Sequence, residues 1–329
     1  MHRVAVVGAT GYAGQELVRI LARHAQVQLT IATGSQATST PRRLPSLARV
    51  WDGDVVPLNL TAVAAQADVA FLALPEQASA EVAPALLDAG MRVIDLSGAF
   101  RLREAEARTR WYPATPSMPP GVAYGLTEFE ESQVRSARLV ANPGCYPTAA
   151  LLALLPLAHA GLIEPASDLV IDAKSGLSGA GKAPSDRTHF SENHGSVAAY
   201  GAFGHRHTPE MEQAVGRSVT FVPHLVPLDR GLLSSNYVRL VRGTTEAQVN
   251  AAFVEAYASA PFVRLTGSDL PEIKHVAWSN FCDIGWKVDE ANGRAVIISV
   301  IDNLVKGAAG SAVQNFNVMC RIDQKAGLL

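Results

Sequence analysis

The sequence predicts an α/β protein that begins with a doubly wound parallel sheet and continues with an α+β domain whose sheet is mainly antiparallel. Short apolar strands alternate with helical segments over the first 145 residues, which is the pattern of a parallel sheet. Longer β-like segments and a hairpin signal at Asn292-Gly293 dominate the second half. A length of 329 residues fits two such domains.

Apolar runs that end at glycine, proline or polar residues predict the strands of the first domain. They are residues 3–8, 28–33, 68–75, 91–97 and 138–142. Residues 12–24 and 77–89 lie between these runs and have the apolar spacing of helices. Residues 101–120 are charged and then rich in proline, which predicts an irregular surface segment.

The second half has fewer helical segments and longer strands. Its predicted strands are residues 169–175, 218–226, 232–242, 281–288 and 294–302. Residues 245–258 form an amphipathic helix that Thr244 or Thr245 can cap. We expect the last helix, residues 308–319, to return to the first domain. The predicted domains are therefore residues 1–145 with 308–329, and residues 146–307.

Composition excludes several classes of protein. Apolar residues make up 48% and charged residues 18%, and a net charge of −2 argues against a nucleic-acid partner. The apolar runs are too short for a membrane span, and a strand that begins at Arg3 leaves no room for a signal peptide. Three scattered cysteines predict neither a disulfide framework nor a zinc ribbon, so we expect a reducing cytoplasm.

Residues 8–14 (GATGYAG) place glycines three residues apart between a strand and a helix. Such glycines permit a tight turn and let the backbone approach a pyrophosphate at the helix N-terminus. The spacing differs from G-x-G-x-x-G because Ala9 and Thr10 occupy the middle. The run predicts a dinucleotide site; the alternative is a strand–helix turn that needs glycine only for its own conformation.

The end of the second strand indicates which dinucleotide binds. An NAD site usually has an acid there, whereas this strand continues into Gly34, Ser35 and Gln36. Small hydroxyl residues, with Arg42 and Arg43 nearby, tolerate a 2′-phosphate. We therefore favour NADP, the alternative being that the arginines lie in a solvated loop.

Cys145 lies on a Pro-Gly turn just before the apolar helix pattern of residues 149–157. Unpaired N–H groups and the positive end of a helix dipole favour the thiolate there. A cysteine nucleophile together with a nicotinamide cofactor predicts acyl or aldehyde chemistry through a thioester. We interpret Cys282 and Cys320 as inert.

Two histidines two residues apart, His205 and His207, are the candidate acid/base, because histidine titrates nearest neutral pH. Thr208 is predicted to cap the following helix, which places His207 beside Glu210. Local arguments favour His207 only slightly. The alternatives are an ordinary capping turn and a metal site, but no third ligand is evident and we predict no metal.

Two further loops follow predicted strands. Residues 175–182 (SGLSGAGK) do not match an ATP-binding loop, but they can bring backbone donors to a cofactor or an acyl oxygen; otherwise they form a flexible connection. Arg101 follows the strand at residues 91–97, where ligands of open α/β sheets gather. It is predicted to bind an anionic substrate, unless it is an exposed structural arginine.

Six motifs in order resemble the N-acetyl-γ-glutamyl-phosphate reductases, a family of arginine biosynthesis. They are residues 8–14, 95–102 (DLSGAFRL), 142–148 (NPGCYPT), 174–182 (KSGLSGAGK), 204–210 (GHRHTPE) and 301–310 (IDNLVKGAAG). The resemblance implies NADPH-dependent reduction of N-acetyl-γ-glutamyl phosphate to the semialdehyde, with release of phosphate. It also implies a homodimer or homotetramer formed through the second domain.

The resemblance implies that Cys145 is the nucleophile and that His205 and His207 belong to the acid/base region. We add Glu210 to the catalytic residues because it lies beside His207. The residues predicted for NADP are Gly8, Thr10, Gly11, Tyr12, Ala13, Ser35, Ser97, Ser178, Gly179 and Asn303. Those predicted for the substrate are Arg101, Asn142 and Lys182.

Three alternatives differ at identifiable residues. A lysine-pathway relative that acts on an aminoadipyl phosphate is expected to have Cys-Asn-Ala-Thr at the nucleophile, whereas this chain has Tyr146 and Pro147. Aspartate-semialdehyde dehydrogenases lack the His-Arg-His run. A non-catalytic NADP sensor has no need of Cys145 or of the histidines.

Overall fold

The computed structural model describes residues 1–35, 40–115 and 117–329. The chain divides into two compact units. The first comprises Met1–Gly144 and Ala308–Leu329, and the second comprises Cys145–Gly307. No helix among the described residues is long and apolar enough to cross a membrane.

The first unit is built on a parallel sheet. Its strands are β1 (His2–Val7), β2 (Val27–Thr33), β3 (Val55–Val56), β4 (Val69–Leu72), β5 (Arg92–Asp95), β6 (Val122–Tyr124) and β7 (Leu139–Ala141). They lie in the order β3-β2-β1-β4-β5-β7-β6, and every neighbouring pair is parallel. The order reverses at β1, and this is the switch point beside which doubly wound sheets bind ligands. The prediction of this fold is confirmed.

Helices cover the faces of this sheet. The helices that precede Cys145 are α1 (Tyr12–Leu21), α2 (Leu60–Gln66), α3 (Glu76–Asp88), α4 (Ala105–Trp111) and α5 (Thr127–Ser136). Helix α2 begins after Asn59, whose side chain accepts a hydrogen bond from the N–H of Ala62 (3.0 Å). Helix α4 corrects the prediction that residues 101–120 are irregular throughout. It is short and mostly exposed, so its sequence carries no apolar period.

The second unit contains a mixed sheet. Its strands are β8 (Val170–Gly176), β9 (Ala198–Ala199), β10 (Thr220–Val226), β11 (Leu232–Arg239), β12 (Val263–Gly267), β13 (Cys282–Asp289) and β14 (Arg294–Ile301). They lie in the order β12-β13-β14-β11-β8-β10-β9. The pairs β12–β13 and β8–β10 are parallel and the others are antiparallel. The mainly antiparallel character is confirmed, and Gly293 (φ +58°) closes the predicted hairpin between β13 and β14.

The helices of this unit are α6 (Cys145–His159), α7 (Phe190–Asn193), α8 (Thr208–Val215) and α9 (Glu246–Tyr257). Helix α6 is buried from Tyr146 to Leu157 and packs on β11 and β14. The Ser299 hydroxyl on β14 donates to the carbonyl of Ala149 (2.7 Å), which ties helix to sheet. Thr245 caps α9, as the sequence predicts.

A π-helical turn, Val305–Ala309, leads into the last helix, α10 (Gly310–Met319). Helix α10 packs on α1, α5 and β5, and its Val313 and Phe316 are fully buried in the core of the first unit. The predicted return of the C-terminal helix is therefore confirmed.

Candidate active site

Three glycines shape the turn between β1 and α1, each in a different way. Gly8 has φ +90°, and a Cβ there would lie 2.3 Å from the carbonyl oxygen of Ala73. A Cβ on Gly14 would lie 2.2 Å from the carbonyl oxygen of Gly8. Gly11 has φ −75° and ψ 169°, and its added Cβ would meet nothing nearer than 3.8 Å. The fold therefore requires glycine at 8 and 14, whereas at 11 it leaves the backbone open to a ligand.

The N-terminus of α1 is suited to an anion. Its first turn holds Tyr12 and Ala13 and no acidic residue, and Gly11 before it provides no side-chain cap. The helix dipole and the first N–H groups are thus available to a phosphate group. Thr10 accepts a hydrogen bond from the Gln15 side chain through its carbonyl (2.9 Å), which fixes the turn. These residues fit the pyrophosphate of a dinucleotide.

The end of β2 carries no acid in residues 33–35, and Ser35 is exposed. Gln36, the third residue on which the prediction of NADP rests, lies outside the described residues. Arg42 pairs through its main chain with β3, the neighbour of β2, and its side chain is exposed. Arg43 is exposed too, 3.6 Å from a carboxylate oxygen of Asp54. Two guanidinium groups therefore lie on the segment beside this end of the sheet.

A buried carboxyl group organises the loop after β5. Asp95 is inaccessible to solvent and accepts hydrogen bonds from the hydroxyls of Ser79 (2.8 Å) and Ser97 (2.6 Å) and from the Ser97 N–H (3.1 Å). Burial raises the pKa of Asp95. Ser97, predicted for the cofactor, thus orients the loop through Asp95. Sequence reasoning missed Asp95, although an acid inside an apolar strand was a signal.

Arg101 and Asn142 lie where β5 and β7 end. Arg101 is 6% exposed, and its guanidinium donates to the carbonyls of Asn142 (2.8 Å) and Leu96 (2.8 Å). The Asn142 amide donates to the carbonyl of Ala308 (3.2 Å) and accepts from the amide of Asn315 (2.9 Å). Both side chains therefore donate hydrogen bonds to main-chain carbonyls. Their role in substrate binding stays a prediction.

Cys145 is the first residue of α6, four residues before the apolar pattern begins, and it is partly buried. Its sulfur is thus at the positive end of a helix. Burial raises the pKa values of Tyr146 and Tyr200, and the charge of Cys145 raises both further. Cys145 therefore lies close to two phenols, that of the buried Tyr146 and that of the partly buried Tyr200.

The two candidate histidines lie together beside Tyr146. The ring centroids of His205 and His207 are 4.8 Å apart, and the Tyr146 ring meets them edge-on at 5.6 and 6.0 Å. His205 Nδ1 accepts a hydrogen bond from the main-chain N–H of His207 (3.1 Å), so the proton of the neutral ring is on Nε2. Burial, and then the charge of Arg206, lowers the pKa of His205 to about 4. His205 is therefore neutral at physiological pH.

His207 occupies the position before α8 and is 8% exposed. The prediction that Thr208 caps this helix is wrong. His207 already has helical backbone angles (φ −85°, ψ −12°), so Thr208 lies inside the first turn with its buried hydroxyl unbonded. Glu210 follows in that turn and is fully buried, and an acid there interacts favourably with the helix dipole.

The phenols form a short hydrogen-bonded chain. The Tyr200 hydroxyl donates to that of Tyr146 (3.3 Å), which donates to the carbonyl of His224 (2.9 Å). This fixes the Tyr146 ring against the histidines. In the sequence, Tyr146 only distinguished the glutamyl-phosphate reductases from their lysine-pathway relatives. Its place next to Cys145 was the available signal for a role in the site.

The second unit also brings together three residues predicted for the cofactor. The Asn303 amide donates to the Ser178 hydroxyl (2.9 Å) and accepts from the N–H of Gly231 (2.7 Å). A Cβ on Gly179 would lie 3.5 Å from the same amide. Lys182 is exposed in the loop that follows.

Among the residues described, no three His, Cys, Asp or Glu side chains are grouped so that they could hold a metal ion. The three cysteines, all of them described, form no disulfide.

Comparison with protein families matches each half of the chain separately. Residues 3–137 match the model "Semialdehyde dehydrogenase, NAD binding domain". Residues 145–303 match "Semialdehyde dehydrogenase, dimerisation domain".

Curated relatives match over the full length. The N-acetyl-gamma-glutamyl-phosphate reductase of Shouchella clausii is 45% identical over 337 residues, covering 99% of this chain and 97% of the relative. The protein of the same name from Geobacter sulfurreducens is 45% identical over 340 residues, covering 100% and 98%.

Solved structures show the same fold. Aspartate semialdehyde dehydrogenase II from Vibrio cholerae, complexed with ASA, has a TM-score of 0.74 and 19% identity, with 98% of each chain covered. Aspartate semialdehyde dehydrogenase from Candida albicans, with NADP, has a TM-score of 0.72 and 13% identity, with 99% of each chain covered.

Proposed function

We propose, since this chain belongs to the family of the N-acetyl-γ-glutamyl-phosphate reductases, that it reduces N-acetyl-γ-glutamyl phosphate to N-acetylglutamate 5-semialdehyde and releases phosphate. The observation that carries the proposal is Cys145 at the start of a buried helix, in the unit that also holds the histidine pair. Relatives that share 45% of their residues with this chain carry this enzyme's name.

Cys145 is the nucleophile in this proposal. Its thiolate attacks the acyl carbon, the carbon–sulfur bond forms, and the bond to the phosphate oxygen breaks with its electron pair leaving on phosphate. The start of α6 favours the thiolate before attack, and N–H groups there are suited to the charge that develops on the acyl oxygen. The product of this half-reaction is a thioester on Cys145.

A histidine holds the proton that the thiol loses. We assign this role to His207, because the pKa of His205, lowered to about 4, makes His205 a weak base, and its Nδ1 already accepts the His207 main-chain N–H. When bound, the nicotinamide supplies the hydride that reduces the thioester carbon. His207 then returns the proton to the acyl oxygen, and the tetrahedral adduct releases the aldehyde and the Cys145 thiol.

The cofactor is proposed to be NADP. The residues expected to hold its pyrophosphate are Gly8, Gly11 and the first turn of α1. The open space over Gly11 leaves room for a ligand to contact the main chain there. The absence of an acid from residues 33–35 and the neighbouring Arg42 and Arg43 favour a 2′-phosphate. The match to an NAD binding domain supports a nicotinamide cofactor.

Three finer points belong to the same proposal. Tyr146 and Pro147 after the nucleophile, and the names of the relatives, favour the glutamyl over the aminoadipyl chain. The match of residues 145–303 to a dimerisation domain supports a homodimer or homotetramer. We place the enzyme in the cytoplasm.

The test is an assay of the purified protein with both acyl phosphates, each with NADPH and with NADH. We expect turnover with the glutamyl substrate and NADPH, and an acyl adduct on the Cys145 peptide after rapid acid quench. Cys145→Ser is expected to abolish turnover and leave NADP binding intact, while Cys320→Ser serves as the control. An active Cys145→Ser variant would contradict covalent catalysis by Cys145. A wild-type protein that binds NADP but turns over neither substrate would favour the alternative of a non-catalytic NADP sensor.

A further inference from the structure

Gly307 touches the nucleophile. A Cβ built on Gly307 would lie 2.7 Å from the Cβ of Cys145, closer than real Cβ atoms approach, and 3.2 Å from its Cα. The Gly307 backbone is not in the left-handed region, so its own conformation does not require glycine. The requirement comes from the close approach to the first residue of α6.

The segment that carries Gly307 is held firmly. It is the π-helical turn before α10, and the Gly307 N–H donates to the carbonyl of Asp302 (2.9 Å). The buried Asp302 carboxylate accepts from the N–H groups of Leu304 (2.8 Å) and Val305 (3.0 Å), and from that of Trp278 (2.7 Å). Asp302 thus fixes both ends of a short turn against a neighbouring loop. A turn held in this way cannot yield easily when a side chain is added.

We propose that Gly307 is a positioning residue. The Cβ of Cys145 packs against the rigid π-helical turn at Gly307, and this contact sets where the sulfur lies relative to the histidine pair. The inference rests on the proposed role of Cys145 as nucleophile. It also accounts for the local geometry, because π-turns inside helices are frequent at functional sites.

The size of the effect follows from the distances. Ordinary van der Waals contact begins at 3.4 Å, so a methyl group at 307 forces Cys145 and the turn about 0.7 Å apart, the difference from 2.7 Å. A misplacement on the order of 1 Å at a reacting group lowers the rate about 10²-fold. We therefore expect kcat/KM of Gly307→Ala to fall about 10- to 100-fold.

The experiment uses the full chain and a matched control. Gly285→Ala adds a methyl group in β13 of the same unit, 2.5 Å from the carbonyl oxygen of Asp269, so it overpacks to a similar degree elsewhere. The decisive readout is the rate of Cys145 alkylation by iodoacetamide between pH 6 and 9, assigned by peptide mass and measured without cofactor. We expect the rate and its pH profile to change in Gly307→Ala and to stay as in the wild type in Gly285→Ala. NADP binding is expected to be unchanged in both.

Two results would overturn the inference. One is a Gly307→Ala variant whose alkylation profile and kcat/KM match the wild type. The other is loss of NADP binding with normal alkylation, which would mean that the space at 307 serves the cofactor.

A stability cycle covers the case in which Gly307→Ala folds poorly. Cys145→Gly removes the opposing Cβ, so the drop in Tm caused by Gly307→Ala should be smaller in that background. An equal drop in both backgrounds would place the strain elsewhere, for example at Ile301, whose Cδ1 is 3.2 Å away, and would refute the contact. Alkylation and Tm need no turnover, so these outcomes remain distinct from failure of the proposed reaction.

Discussion

Substituting alanine at Gly11 separates what the fold needs from what the cofactor needs. The added Cβ would lie 3.8 Å from its nearest protein atom, and the Gly11 backbone angles are open to any L-residue. Alanine at such a position raises the stability of a protein by about 0.4–1 kcal/mol, because it restricts the unfolded chain. We therefore expect Gly11→Ala to fold and to melt at or slightly above the wild-type temperature.

Cofactor binding should respond in the opposite direction. A methyl group at 11 occupies space that the backbone offers to the pyrophosphate, and the loss of one hydrogen bond to a charged group removes about 1.5–3 kcal/mol. That energy corresponds to a rise of about 10- to 100-fold in the Kd for NADPH. Gly14→Ala is the matched comparison, because its Cβ would lie 2.2 Å from the Gly8 carbonyl oxygen. It should lose about 1–3 kcal/mol of stability through overpacking.

The assay pairs NADPH fluorescence titration with thermal melting of both variants. A stable Gly11→Ala that binds NADPH weakly, beside a destabilised Gly14→Ala, is the expected result. Wild-type affinity in Gly11→Ala would show that no ligand approaches this backbone. A melting temperature as low as that of Gly14→Ala would show that the space at 11 is not open.

Three other predictions follow from the same geometry. His207→Asn is expected to lower kcat about 10²–10⁴-fold, the range for a general acid/base; a larger loss in His205→Asn, measured in the same steady-state assay, would reverse our assignment. The double variant Arg42→Ala/Arg43→Ala should raise the Kd for NADPH about tenfold and leave that for NADH unchanged, by titration with each cofactor. Folding lowers the pKa of His205 from 6.5 to about 4. Between these two pH values the His205 side chain binds a proton in the unfolded chain but not in the folded protein. The free energy of unfolding should therefore decrease as the pH falls from about 6.5 to 4. Urea unfolding of His205→Asn should show a shallower decrease over that window, and an unchanged slope would contradict a buried neutral His205.

The sequence predicted the elements whose burial is visible as a pattern. The β1, β4 and β5 strands are apolar runs because both faces of a parallel sheet are covered. It did not predict α5, which is polar along most of its length and packs through few residues such as Val134. It also missed β6, because three residues carry no period.

The site was predictable as a set of motifs but not as a geometry. Residue type and turn chemistry selected Cys145 and the histidine pair as candidates, and their catalytic roles stay predictions. Arg101 was chosen for its charge, yet its burial and its bonds to main-chain carbonyls depend on folding that no local pattern encodes. The contact of Gly307 with Cys145 joins residues 162 positions apart in the chain, so no local spacing signals it.

The placement of α10 has a consequence for biosynthesis. Phe316 and its neighbours complete the core around α1 and β1, but they belong to the 22 residues 308–329, which are translated only after the whole second unit. At about 5–20 residues per second, the ribosome needs roughly 1–4 s to add them after the inserted unit is finished. Throughout that interval the nascent N-terminal half has no partner for an apolar surface that α10 later covers. A chain that stops just before residue 308 should therefore expose its earliest-made part to chaperones and proteases, rather than the part made just before the stop.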